Sequence, residues 1–395
     1  MKNIISLLDI GSSKVVSLSA TVFNQQKCDI IASGLETYDG FLGTSLLNPA
    51  SFPEVIQKVI AACEKNLSHK TSDFYVGLPS AFCDFFTVDA RIDIHGVEPR
   101  VTEKDIATVI EEAERTFIEI HGSEIGDRII HQTPTSFTLD NGMKTFSPKD
   151  NPSTELHAKV CFIVAKEEVR TVIGPSLARS GKNIKGMASS SLGQVLLFIP
   201  AEERDQGAML IDVGYTSTEV FSIEGDGITH YCNIPIGGAQ IAADISNTLD
   251  ISFKEAENIK RLFIYDLPVG QDAFEITDAQ GQRVEIKREI VEPIVNDCVQ
   301  EIADAINEAI ERGDLRAPKG PNSYLTGGGI VMNRGGREFF SNCLGRTLRE
   351  LPKKTTKLSN PAYSSTVGLL DLIIDTYKRP TSGGIGGFFR NLFGA

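Results

Sequence analysis

One short pattern occurs twice in this chain, and it restricts the possible architecture more than any other feature. Ser6-Leu7-Leu8-Asp9-Ile10-Gly11-Ser12-Ser13-Lys14-Val15-Val16 reads as an apolar strand, a tight turn at Asp-x-Gly, and a return strand of β-branched residues. The same grammar returns at Met209-Leu210-Ile211-Asp212-Val213-Gly214-Tyr215-Thr216-Ser217-Thr218-Glu219-Val220-Phe221. Two such units, far apart in one chain, predict two related halves that face each other.

The rest of the sequence fits an α/β protein of several units, which 395 residues can supply with separate cores. Residues from about 84 to 166 read as an insert. In it Thr102-x-x-Asp105 forms a capping box ahead of Ile106, Val109, Ile110, Ala113 and Phe117 at helical spacing. Strands follow at Arg128 to Leu139 and at Ala158 to Ala165, and a helix is expected over Glu167 to Ser180, ended by Gly181. In the second half, Ile234-Pro235-Ile236-Gly237-Gly238 leads into a helix, and Ser252-x-x-Glu255 caps another. A hairpin over Phe274 to Ile286 precedes a long helix at about 288–312, stopped by Gly313. Tyr324-Leu325-Thr326-Gly327-Gly328-Gly329 reads as a strand and a glycine turn, and a last helix is expected at about 361–378.

Composition bears on partners and compartment. With 41% hydrophobic and 23% charged residues the chain is of ordinary globular type. Its formal net charge of −13 leaves no basic excess to neutralise phosphates, so nucleic acid is not an expected partner. The seven cysteines are scattered without a Cys-x-x-Cys pair, a spacing that suits neither zinc nor a disulfide framework and points to a reducing cytoplasm. Asp9 cuts the apolar start too short for a secretory signal, and no apolar run reaches the ~18 residues of a membrane span. Membrane contact is therefore expected to be peripheral.

An Asp-x-Gly turn can serve a nucleotide in two ways. Glycine lets the backbone approach a phosphate and donate N–H groups to it, and the aspartate can hold Mg²⁺ through its waters. One such turn is more often only a turn. Two turns followed by the glycine turn at Leu325 to Gly329, where a nucleoside can pass without side-chain collision, are far more specific.

In this order the three elements resemble the phosphate-one (Asp9 to Lys14), phosphate-two (Asp212 to Thr218) and adenosine (Thr326 to Gly329) motifs of the actin, Hsp70 and sugar-kinase superfamily. Within it the chain resembles the FtsA family over nearly its whole length. Ile234 to Gly238 and Ala256-Glu257-Asn258-Ile259-Lys260 are similar to that family's second-domain signature, and Ser364-Ser365-Thr366-Val367-Gly368-Leu369-Leu370 to its last helix near the hinge. The insert stands where FtsA carries subdomain 1C in place of actin's 1B.

The resemblance implies a two-lobed, actin-like α/β ATPase fold with a 1C-type insert, a C-terminal amphipathic helix, and ATP with Mg²⁺ in the cleft. Asp9 and Asp212 would hold the metal through waters. Gly11, Ser12, Ser13 and Lys14 would meet the phosphates from one lobe, and Gly214, Tyr215 and Thr216 from the other. Gly238 and Lys260 would lie near the nucleoside with Gly327, Gly328 and Gly329. The implied subdomains are 1A at 1–83, 1C at 84–166, 1A again at 167–200, and 2A at 201–240. They continue as 2B at 241–318, 2A at 319–358, the last 1A helix at 359–379, and a linker and tail at 380–395. Implied partners are other copies in a protofilament, the FtsZ C-terminal peptide, later division proteins, and the anionic lipid of the cytoplasmic membrane face at the division site. The peptide would dock on 241–318, which offers Lys254, Lys260, Arg261, Lys287 and Arg288.

Two departures bear on turnover. The family pattern Asp-x-Gly-Gly-Gly-Thr-Thr gives way to Asp212-Val213-Gly214-Tyr215-Thr216-Ser217-Thr218, so Tyr215 and Thr216 stand where glycines meet the γ-phosphate, and are expected to crowd it or reshape the turn. Met187 to Gln194, read as the helix before this motif, holds no carboxylate, which leaves Gln194 as the candidate to orient an attacking water. Hydrolysis is expected to be slow or absent. At the tail, Ile385, Phe388, Phe389, Leu392 and Phe393 fall on one helical stripe beside Arg390, behind a leash from Gly383 to Gly387, the pattern of an amphipathic membrane anchor. Two other readings share the motifs: a pilus-assembly actin homologue that binds peptides, and a sugar or carboxylate kinase. The tail and the position of the insert argue against the first, and a kinase has no use for such a tail.

Overall fold

The computed structural model describes residues 3–23, 27–65, 67, 70–265, 272–277, 281–352 and 360–378. The first lobe opens with strands β1 (Asn3–Ile10), β2 (Lys14–Phe23) and β3 (Lys27–Thr37), helix α1 (Phe52–Glu64) and strand β4 (Asp73–Leu78). The insert follows as β5 (Cys83–Asp93), α2 (Glu103–His121), β6 (Ile129–Leu139) and β7 (Glu155–Ala165), before β8 (Asn183–Ser189) and α3 (Ser190–Phe198) return to the lobe. The second lobe holds β9 (Ala208–Val213), β10 (Thr218–Glu224), β11 (Gly227–Ile234), α4 (Gly238–Leu249), α5 (Phe253–Leu262) and α6 (Arg288–Arg312). It continues with β12 (Ser323–Thr326), α7 (Gly336–Leu344) and β13 (Arg349–Glu350), and the chain then gives α8 (Ser364–Lys378).

The internal duplication is structural. The first sheet runs β8-β4-β1-β2-β3 and the second β13-β12-β9-β10-β11. In each, three antiparallel strands are extended on one side by two parallel ones. The two turns share one geometry: Gly11 N–H donates to Lys14 O and Gly214 N–H to Ser217 O, both at 2.9 Å. Central strands are buried on both faces, as Leu7 and Leu8 or Leu210 and Ile211 show, so they read as unbroken apolar runs.

The insert has its own core, where Phe117 of α2 stacks on Phe162 of β7 at 4.7 Å between centroids. Thr102 Oγ1 accepts from Asp105 N–H (3.3 Å) and Thr102 N–H donates to the Asp105 carboxylate (2.8 Å), closing the expected capping box. The insert also packs on the edge strand of the second lobe. Cys161 Sγ donates to Ile228 O at 2.8 Å, and Phe85 meets Tyr231 at 4.9 Å between ring centroids.

Three elements differ from the sequence expectation. Met187 to Gln194 is not one helix: Met187, Ala188 and Ser189 pair with Val76, Gly77 and Leu78 in the sheet, and Ser189 then caps α3 by accepting from Leu192 N–H at 3.2 Å. Glu167 to Ser180 is helical as expected but differs in winding, with a π-helical stretch at Val169–Ile173 running directly into the α-helical Gly174–Arg179, where Pro175 supplies no amide. The last helix begins at Ser364 after a tight turn over Pro361–Tyr363. The tail residues Ile385, Phe388, Phe389, Arg390, Leu392 and Phe393 lie outside the described residues. Among those described, no helix is long and apolar enough to cross a membrane.

Candidate functional site

The two sheets present their turns to each other across a cavity of about 520 Å³, within the usual size of a ligand cleft. From the first turn Asp9, Gly11, Ser12, Ser13 and Lys14 line it. Asp212, Gly214 and Tyr215 of the second turn face them, with Gln194 of α3, Lys260 of α5, and Gly327 and Gly328 after β12. Of the residues expected to meet nucleotide, Thr216, Gly238 and Gly329 are not on this wall. A Cβ on Gly238 would lie 3.1 Å from Gly329 Cα and 3.3 Å from Lys260 Nζ, which places both glycines directly behind it. Gly327 adopts φ +93°, and a Cβ there would meet Val213 O at 2.3 Å, so this turn requires glycine.

The turns touch although they are 203 residues apart: Tyr215 N–H donates to Ser12 Oγ at 3.2 Å. Thr216 Oγ1 donates across the lobes to Phe41 O at 3.0 Å. The Tyr215 ring stands beside Lys260, whose ammonium is 5.3 Å from the ring centroid. The second turn therefore keeps the hydrogen bond of the first despite its two substituted glycines. The Thr216 hydroxyl is turned to Phe41, the Tyr215 ring lines the cleft beside Lys260, and the expected reshaping of the turn does not occur.

Lys260 is buried, donating to Gly238 O (3.0 Å) and pairing with Glu257 (2.7 Å). Burial lowers its pKa and the bond to Glu257 opposes that. Arg288 is also buried, against Glu292. Both are thus withdrawn from the basic face expected to receive an acidic peptide, and Lys254, Arg261 and Lys287 remain exposed.

Charge in the cleft is arranged around the two aspartates. Asp9 accepts hydroxyl hydrogen bonds from Ser190 (2.7 Å), Ser365 (2.9 Å) and Thr366 (2.6 Å). Burial raises the pKa of Asp212, an effect opposed by a Gln194 amide at 3.4 Å and by the charge of Lys14. Burial lowers the pKa of Lys14, which Asp9 and Asp212 hold up. One carboxylate per turn, a lysine, and a glycine-lined wall match the donor set of a hard divalent cation beside phosphate oxygens. The residues present fit Mg²⁺ and a nucleotide.

One carboxylate escaped the sequence reading. Glu219 lines the cleft, accepts from Tyr231 O–H at 2.9 Å, and is pushed up to about 7 by burial and then by the charge of Asp212. Its signal was in the hairpin register. Asp212 pairs with Glu219 as Asp9 pairs with Val16, so the residue seven places after the aspartate shares its face.

The sequence has relatives over almost its whole length. The family model described as cell division protein FtsA matches residues 209–368. The cell division protein FtsA of Buchnera aphidicola subsp. Baizongia pistaciae is 24% identical over 392 residues, covering 93% of this chain and 90% of that protein. The chain is thus similar to FtsA over almost its whole length. FtsA is an actin-like, ATP-binding family of cell division, and the folds of solved structures agree with the first part of that description. The PilM-PilN type IV pilus biogenesis complex matches with a TM-score of 0.58 at 15% identity, over 92% of this chain and 97% of that one. MreB 5 of Spiroplasma citri bound to AMPPNP matches with a TM-score of 0.56 at 12% identity, over 96% and 98%. At these identities the structures speak for the two-lobed actin-like fold alone, and the sequence relatives for a likeness to FtsA.

Proposed function

We propose that this chain is an FtsA-family protein that binds ATP with Mg²⁺ in the cleft, assembles into actin-like filaments, and tethers FtsZ filaments to the cytoplasmic membrane face at the division site. The observation that carries the nucleotide reading is the direct approach of two duplicated Asp-x-Gly turns, Ser12 to Tyr215, around a cavity holding Asp9, Lys14 and Asp212. MreB 5, with the same fold, was solved bound to AMPPNP and to ADP, which supports nucleotide in this position. When bound, Mg²⁺ would neutralise phosphate charge from between the two aspartates. The chain's own part is to hold the carboxylates, to present glycine backbone to the phosphates, and to keep Lys14 charged beside them.

Turnover is slow in this account. α3 offers no carboxylate, the Asp212 carboxylate beside Gln194 (3.4 Å) is committed to the metal, and the Gln194 amide is occupied by Ser364 (2.6 Å). The compact unit Cys83–Ala165 corresponds to the family's 1C insert, α4 to α6 belong to the 2B subdomain that receives the FtsZ tail, and the tail from Gly383 is the membrane anchor. Co-sedimentation with anionic liposomes tests the tether: intact protein with ATP should carry FtsZ filaments to the membrane, and a truncation before Gly383 should not. Equal sedimentation of FtsZ with the truncated protein would remove the anchor role and favour a peptide-binding platform of the pilus type.

A further inference from the structure

The candidate nucleotide site has a third wall that neither turn supplies. Residues Pro361 to Thr366, at the entry to α8, bond to four of its elements. Lys14 Nζ donates to Ala362 O at 2.5 Å and stands 4.4 Å from the centroid of the Tyr363 ring. Ser364 Oγ meets the Gln194 amide and Thr326 Oγ1 (3.0 Å). Ser365 and Thr366 both donate to the same oxygen of Asp9, Oδ2, while Ser190 takes Oδ1.

A carboxylate offers about four lone-pair positions, two on each oxygen. Two hydroxyls occupy Oδ2, and one occupies Oδ1. A single position, on Oδ1, is left for a metal-bound water. The neighbouring Gly77 makes room for this arrangement: a Cβ there would lie 3.0 Å from Asp9 Oδ1 and 2.4 Å from Ser190 Oγ. Thr366 is fully buried, and its helix is fixed against α3 where Gly193 and Gly368 cross in backbone contact.

We propose that Ser365 and Thr366 are positioning residues for the Mg²⁺–nucleotide site. Their two hydroxyls hold Asp9 Oδ2 away from the metal, so that Oδ1 alone faces the cleft. This inference rests on the nucleotide reading above. It makes the last helix, 357 residues from Asp9 in sequence at Thr366, part of the metal site. Hydrogen bonds of this kind to a ligating carboxylate commonly govern metal affinity by about 10- to 100-fold.

The test is a titration of Mg²⁺ at fixed ATP, with nucleotide binding as the readout. In Ser365→Ala/Thr366→Val the Mg²⁺ concentration for half-maximal binding should rise about 10-fold, ATP affinity in EDTA should stay unchanged, and Thr366→Ser should restore the wild-type value. Ser365 is half-buried, so Ser365→Ala alone should fold even if the double variant does not, and it should show a smaller shift of the same sign. An unchanged Mg²⁺ requirement in variants with wild-type circular dichroism and unfolding midpoint would overturn the positioning role. Failure of the wild-type protein to bind ATP in a Mg²⁺-dependent way would overturn the nucleotide reading itself, and the inference with it.

Discussion

At the scale of single residues, the cleft concentrates groups whose protonation the fold alters, and Glu219 is the one poised near neutrality. Its carboxyl titrates at about 7 when folded against 4.5 in a free chain, because burial and the charge of Asp212 disfavour ionisation. The native state therefore holds a proton that the unfolded state has already lost between these values, so Glu219 makes stability fall as pH rises from 4.5 to about 7 and leaves it level above. Glu219→Gln, neutral throughout, should remove this slope and stabilise the protein at pH 8 by about 2 kcal/mol, read from denaturant unfolding at several pH values. A slope identical to wild type would mean that other groups produce it. The aspartates, glycines and Lys14 were legible in the sequence because their residue types are rare in that order. Glu219 was not, because one acidic residue in a β-branched strand looks like any solvent-facing position until the register sets it opposite Asp212. The environment of Lys260 was equally hidden: a lysine in the last turn of an amphipathic helix gives no sign that a carbonyl and a glutamate await it.

Among the elements, those punctuated by local chemistry were readable. The α6 helix ends where Gly313 takes φ +84°, and α2 begins at its capping box, since both signals act within a few residues. The strand–helix junction at Met187 to Gln194 was misread because its fate is decided by pairing with Val76 to Leu78, a distant contact. The helices α3 and α8 meet through glycines: a Cβ on Gly368 would lie 2.4 Å from Gln194 N, and one on Gly193 2.5 Å from Gly368 O. Gly368→Ala should accordingly destabilise by about 1–3 kcal/mol through forced separation of the helices. The same separation should weaken nucleotide binding, because Gln194 bonds to Ser364 across that crossing and Ser365 of the same helix bonds to Asp9. Chemical denaturation and ATP titration of the variant measure the two effects. Full stability in Gly368→Ala would show that the crossing can loosen without cost.

For the whole molecule, the duplicated turns foretold two facing sheets, and the sheets have the same strand order. What the sequence could not convey is the grip of the insert on the second lobe, through Cys161, Phe85 and the Lys144–Glu224 pair, since those contacts join residues far apart in the chain. Self-assembly bears on the tail as well. A few apolar side chains give an anchor of several kcal/mol at most, much of it offset by ordering a glycine-flanked segment, and linked copies multiply such weak affinities. Liposome binding should therefore rise steeply at the assembly concentration, and Phe389→Glu should abolish the rise. ATP turnover should stay below ~1 s⁻¹, with assembly supported by binding alone, and a phosphate-release assay would expose any faster hydrolysis. The central claim is that two turns half a chain apart build one nucleotide site, and calorimetric titration of Mg·ATP addresses it most directly. The wild-type protein should bind one equivalent, Gly11→Val should lose binding by obstructing the phosphates from the first lobe, and Asp212→Ala should lose its Mg²⁺-dependent part from the second. Undiminished Mg·ATP affinity in both folded variants would contradict the account.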